Sequence, residues 1–150
     1  LDKLLHLLVV GISGSGKSSW IQCAICWLMM AYRPTDVRLL IVDAKNPSES
    51  DEYAMWDGAP HLLRPVAYAI PDILEAFSQI SAEAEARMSL FKSVKTLSIT
   101  DYTRVSGEPL PRILVVLDEV LALSLRMTKT EFARLMKQLG ELAFTCRKTG

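Results

Sequence analysis

Gly11-Ile12-Ser13-Gly14-Ser15-Gly16-Lys17-Ser18 sets the architecture of this chain. The spacing is G-x-x-x-x-G-K-[ST], that of a phosphate-binding loop. Glycine at 11, 14 and 16 opens backbone conformations closed to other residues, so that successive N–H groups turn toward one anion. The helix that follows adds the positive end of its dipole. Gly11, Ser13, Gly14, Ser15, Gly16, Lys17, Ser18 and Ser19 are therefore the candidate phosphate cradle. Within it Lys17 reaches the outer phosphates and takes part in catalysis, and the Ser18 hydroxyl is a ligand for Mg²⁺.

The flanks agree with this reading. An apolar run over residues 4–10, Leu-Leu-His-Leu-Leu-Val-Val, predicts a strand entering the loop. Residues 17–32 predict the helix leaving it. The Trp20 to Tyr32 part of that helix is apolar enough to predict a buried core helix, and too short to cross a bilayer. Cys23 and Cys26 form C-x-x-C inside it without a second pair, which reads as small buried residues rather than a zinc site. With Cys146 they make an odd number of thiols, suited to a reducing cytoplasm.

Further along, strand and helix alternate. Residues 37–42 read as a second strand ending at Asp43. Residues 46–60 read as a long polar connection, and residues 62–66 as a short strand interrupted by Pro65. Pro71 opens a helix whose apolar positions recur every three or four residues, from Ile73 to Phe91. Residues 97–102 read as a helical turn and 107–111 as loop. Residues 112–118 carry five consecutive apolar side chains, which predicts a central parallel strand buried on both faces. Thr128 and Glu131 have capping-box spacing at the start of a last helix, with Phe132, Leu135, Met136, Leu139, Leu142, Ala143 and Cys146 as its apolar stripe and Gly150 as its end. The alternation implies an α/β fold with a mainly parallel sheet and helices on both faces.

The 112–118 strand ends in Asp118-Glu119. In an open α/β sheet ligands bind outside the carboxyl ends of the strands, which brings these acids beside the phosphate loop. Asp118 then shares the Mg²⁺ with Ser18, and Glu119 is the candidate catalytic base that polarises the attacking water. Asp43 ends its own strand and reads equally as a solvated strand end or as a third acid in the cleft.

Composition bounds the rest. The chain has 150 residues, half of them hydrophobic and 23% charged, which is the make-up of one folded domain. Formal net charge is zero, so any nucleic-acid contact needs a local basic face. The last segment offers one in Arg126, Lys129, Arg134, Lys137, Arg147 and Lys148, which reads equally as a solvated helix face. His6 and His61 read as structural. The chain opens on Leu1 rather than Met and reads as an excerpt of something longer, with no signal peptide evident.

Taken together, the phosphate loop, Asp43-Ala44-Lys45, Gly58-Ala59-Pro60-His61-Leu62-Leu63-Arg64-Pro65-Val66, Ala84-Glu85-Ala86-Arg87-Met88 and Asp118-Glu119 resemble the motor domain of FtsK/SpoIIIE-type DNA translocases, within the wider FtsK/HerA group of P-loop ATPases. Ala44 stands where that family has proline. The resemblance spans nearly the whole chain. It implies a RecA-like fold, binding and hydrolysis of ATP with Mg²⁺, assembly into a homo-oligomeric ring (usually a hexamer) and translocation along double-stranded DNA. It also implies a cytoplasmic setting, with any membrane anchor lying upstream of this sequence. The family's γ-phosphate sensor strand and DNA-reading module have no counterpart in these 150 residues. Two other functions stay open: a protein-moving ATPase of the type VII secretion kind, and a nucleotide-binding assembly module without turnover.

Overall fold

A computed structural model describes residues 6–12, 14–45 and 52–150. Two strands, β1 (Val37–Asp43) and β2 (Arg112–Asp118), pair in parallel, with Val37 opposite Arg112 and Asp43 opposite Asp118. Residues 61–67 run along the other edge of β1. They touch it through two isolated parallel bridges, Leu39 with Leu62 and Val42 with Ala67. The expected strand over 62–66 is thus reduced to two points of pairing, because Pro65 has no N–H to donate to a ladder. β1 is consequently the innermost strand, and residues 39–42 are at most 1% exposed.

Alternation along the strands sorts two apolar layers. Leu40 and Val42 of β1, with Ile113, Val115 and Leu117 of β2, face one side. There they meet α2 (Ile70–Ser93), α4 (Val120–Arg126) and α5 (Lys129–Thr149) through Ile73, Phe77, Leu123 and Leu135. Leu39, Ile41 and Val116 face the other side, where α1 (Lys17–Ala31) packs through Ile25 and Tyr53 completes the layer. A smaller cluster of Phe91, Ile99 and Tyr102 seats α3 (Ile99–Ser106) against the end of α2.

Local signals set several boundaries. Pro71 lies in the first turn of α2, where its missing N–H costs nothing. Ser98 caps α3 by accepting from Asp101 N–H, and Gly107 closes it in the left-handed region. Thr128 and Glu131 form the expected capping box of α5.

Five expectations are corrected. Residues 6–10 form no strand, and Leu7, Leu8 and Val10 are exposed; Leu4 and Leu5 lie outside the described residues. A strand needs an edge to pair with, and among the described residues no backbone ladder reaches this segment. β2 is only half-buried, with Leu114 38% exposed, instead of covered on both faces. Its far edge meets the α5 terminus, where Ile113 N–H donates to Gly150 C=O at 3.0 Å. α1 is not a buried core helix: Ile25 and Leu28 are buried while Trp20, Trp27 and Met30 are exposed. Cys23 and Cys26 lie on its exposed side and are free thiols rather than buried residues. Finally, α4 follows Glu119 at once, where no helix was expected. The polar connection over 46–60 falls partly on residues 46–51, outside the described set, and its later part forms a single 3-10 turn at Ala54–Trp56. Among the described residues no helix is long and apolar enough to cross a membrane.

Candidate active site

The phosphate loop leads straight into α1. Gly14 (φ 76°) and Gly16 (φ 84°) both sit in the left-handed region, and Gly16 is the residue from which α1 starts. A side chain at either position would strain the turn that aims the following N–H groups outward. The Lys17 ammonium donates to the carbonyls of Gly11 and Ile12, each at 2.9 Å, which holds its charge over the loop. Gly11, Gly14, Ser15, Gly16 and Ser19 are exposed, and Lys17 and Ser18 half-exposed, so the cradle opens to solvent. Ser13 lies outside the described residues.

Strand periodicity brings the second half of the site to the same face. Val116 packs toward α1, so Asp118, two residues on, faces that way too. The Ser18 hydroxyl donates to Asp118 Oδ2 at 3.2 Å across a sequence gap of 100 residues. Asp118 is 6% exposed, and a charge so buried needs donors. Among the described residues it has three: Glu119 N–H on Oδ1 at 2.9 Å, and on Oδ2 both Ser18 and the Tyr53 hydroxyl, the latter at 2.9 Å. Glu119 follows at φ 53°, ψ 49°, a left-handed conformation rare outside glycine, and α4 starts from it. Strain of this kind at the end of a strand is typical of functional positions.

Asp43 is not a solvated strand end. It is 1% exposed, stands opposite Asp118 in the register, and accepts from Lys45 N–H at 3.0 Å. Lys45 sits above both acids and pairs with Glu52 at 3.4 Å. Desolvation pulls its pKa down, but the Glu52 carboxylate, with Asp118 and Asp43 behind it, outweighs that and raises it. Burial and the Asp118 charge push the Tyr53 hydroxyl well above the usual phenol range, so it stays a donor.

Sequence reasoning missed two groups here. Tyr53 lies in a polar stretch with no motif, 65 residues from its partner. Arg126, counted above with the basic face, instead turns inward from α4. Its guanidinium donates to the carbonyls of Ala44, Lys45 (2.8 Å) and Tyr68 (3.1 Å), tying α4 to the loop after β1. Lys129, Arg134, Lys137, Arg147 and Lys148 remain exposed on α5, with Lys137 near Glu141 at 3.9 Å. His61 is structural as expected, buried with Nε2 2.9 Å from the Tyr32 carbonyl. His6 is exposed and lies 3.4 Å from the Ala143 carbonyl.

Comparison with known proteins follows the same lines. The whole chain, residues 1–150, matches the FtsK/SpoIIIE family. It belongs to that family. The DNA translocase FtsK of Campylobacter jejuni is 35% identical over all of this chain, and that of Lactiplantibacillus plantarum 33% identical over 95% of it. The chain spans 15% and 19% of the length of these two relatives. Among solved structures, the pCW3 conjugation coupling protein TcpA, in its monomer form with ATPγS, superposes with a TM-score of 0.70 at 27% identity. That match covers 98% of this chain and 41% of TcpA. The cytoplasmic domain of the Thermomonospora curvata type VII secretion ATPase EccC gives 0.71 at 25% identity, over 93% of this chain and 17% of that one. The fold is that of a P-loop ATPase of the FtsK/SpoIIIE family, α/β with a parallel sheet between helical layers.

Proposed function

We propose that these 150 residues form one ATP-hydrolysing motor domain that moves double-stranded DNA. The observation that carries the reading is the 3.2 Å contact of Ser18 with Asp118, which joins the phosphate loop to the paired acids in one cleft. Family membership and the FtsK relatives support the choice of cargo.

The residues divide the work. Backbone N–H groups of the loop from Gly14 to Ser19 cradle the phosphates, and Lys17 stabilises the negative charge that gathers on the transferring group. A hydroxyl and a carboxylate at one point are hard oxygen donors, a set that fits Mg²⁺. Bound to Ser18 and Asp118, that ion would neutralise charge on the phosphate oxygens. Glu119 accepts the proton of the attacking water. The exposed cations of α5 are placed for the DNA backbone or for a neighbouring subunit of a homo-oligomeric ring, for which six copies is our working number. The setting is cytoplasmic, in keeping with free Cys23, Cys26 and Cys146.

ATP turnover of the full-length protein, measured with and without duplex DNA, tests the reading. Turnover should rise severalfold with duplex. A rate indifferent to DNA would refute the cargo, and copurification with secreted helical proteins would favour a protein-moving motor instead.

A further inference from the structure

We infer that Tyr53 is a positioning residue of the ATPase site, orienting the Asp118 carboxylate through its hydroxyl. The inference rests on the Mg²⁺ assignment made above. It starts from an unusual choice of partner. Tyr53 is fully buried, in the apolar layer with Ile25, Leu39, Ile41 and Leu62. A tyrosine there needs one acceptor for its O–H, and a backbone carbonyl would serve. It finds Oδ2 of Asp118 at 2.9 Å, the oxygen that also accepts from Ser18.

Tyr53 is itself anchored from several directions. Its carbonyl accepts from Trp56 N–H at 3.0 Å, opening the 3-10 turn at Ala54–Trp56. The neighbouring Glu52 carbonyl accepts from Gln22 of α1 at 3.1 Å, and the Glu52 carboxylate pairs with Lys45. The phenol is therefore a rigid post between the phosphate-loop helix and the end of β2. With Glu119 N–H fixing Oδ1 and Tyr53 fixing Oδ2, the Asp118 carboxylate plane is held from both ends. Ser18 is then free to leave Oδ2 without the carboxylate turning. A partner that orients a metal ligand in this way typically contributes about 10–100-fold in metal affinity.

Tyr53→Phe removes the hydroxyl and keeps the ring. In the full-length protein, titration of a fluorescent ATP analogue at rising Mg²⁺ should show the Mg²⁺ midpoint for tight binding raised about tenfold. Affinity for the nucleotide without Mg²⁺ should stay within about twofold of wild type, and the nucleotide-free protein should stay folded and melt only a few degrees lower, since the ring still fills its place while Asp118 loses one of its donors. A wild-type Mg²⁺ midpoint in Tyr53→Phe would overturn the inference and reduce the bond to a core tyrosine finding an acceptor. Loss of Mg²⁺ dependence in the wild-type protein would instead overturn the metal assignment beneath it. Should the variant not fold, 3-fluorotyrosine placed at position 53 alone serves. Its ¹⁹F resonance should shift when Mg²⁺ joins the nucleotide-bound protein, and a resonance indifferent to Mg²⁺ overturns the inference.

Discussion

Glu119 carries two demands that conflict. As the proposed base it must be a carboxylate, yet its backbone sits at φ 53°, where a side chain costs about 1–2 kcal/mol. Glycine would adopt the same turn without that cost. Glu119→Gly should therefore raise stability by about 1 kcal/mol in denaturant melts while ATP turnover falls at least about a hundredfold. A variant that gains neither stability nor loses turnover would remove both the strain and the role. At this scale the sequence was legible where chemistry demands a residue type. Lys17 and Ser18 were named from motif spacing, Asp118 and Glu119 as the two acids that end an apolar run, and Ser18 and Asp118 do meet. Tyr53 and the inward turn of Arg126 were not legible. Each depends on a contact across tens of residues, and neither phenol nor guanidinium has a required spacing.

Elements were legible in proportion to their local signals. α5 begins where a capping box predicts it, and the cap also makes a pH prediction. The Glu131 carboxylate accepts from Thr128 N–H and from the Thr128 hydroxyl, which lowers its pKa. A carboxyl lowered in the folded state adds stability above its ordinary value, and that part is lost as pH falls through the folded value. Thr128→Ala should lower stability by about 1 kcal/mol near neutral pH, with the gap to wild type narrowing under acid, read from melts across pH. A gap independent of pH would show that the Thr128 hydroxyl takes no part in lowering Glu131, whose bond from the residue 128 N–H the variant keeps. α4 was missed because it is only seven residues long, Val120–Arg126, and has no side-chain cap to mark its start. The turn is made by the backbone of Glu119, which composition does not reveal. The residue 4–10 run reads as a strand for the converse reason: its pattern is right, but pairing depends on an edge that local sequence does not contain.

Across the whole molecule, β1 is the structural axis. It has hydrogen-bonding neighbours on both sides and apolar layers above and below. Alternating strands and helices made this α/β arrangement predictable, whereas the choice of β1 over β2 as innermost strand was not. The apolar run of 113–117 is the stronger burial signal, yet which strand sits inside is settled by what lies at its edges. Hydrogen exchange should reflect it. Amides of β1 should open only near the global unfolding free energy, roughly 5–15 kcal/mol for such a domain, and residues 6–10 near zero. Equal protection in the two would contradict the architecture. Phe77 is buried beneath the sheet where α2 meets α4 and α5, and Phe77→Ala should cost about 3–5 kcal/mol in denaturant melts.

The central claim is that two motifs a hundred residues apart serve one metal–nucleotide site. A double-mutant cycle of Ser18→Ala and Asp118→Asn, read as Mg²⁺-dependent ATP affinity, tests it most directly. If both residues serve the same ion, either change alone should remove most of the Mg²⁺ dependence, and the double variant should be little worse than the poorer single one. Losses that simply add, as for independent sites, would contradict it.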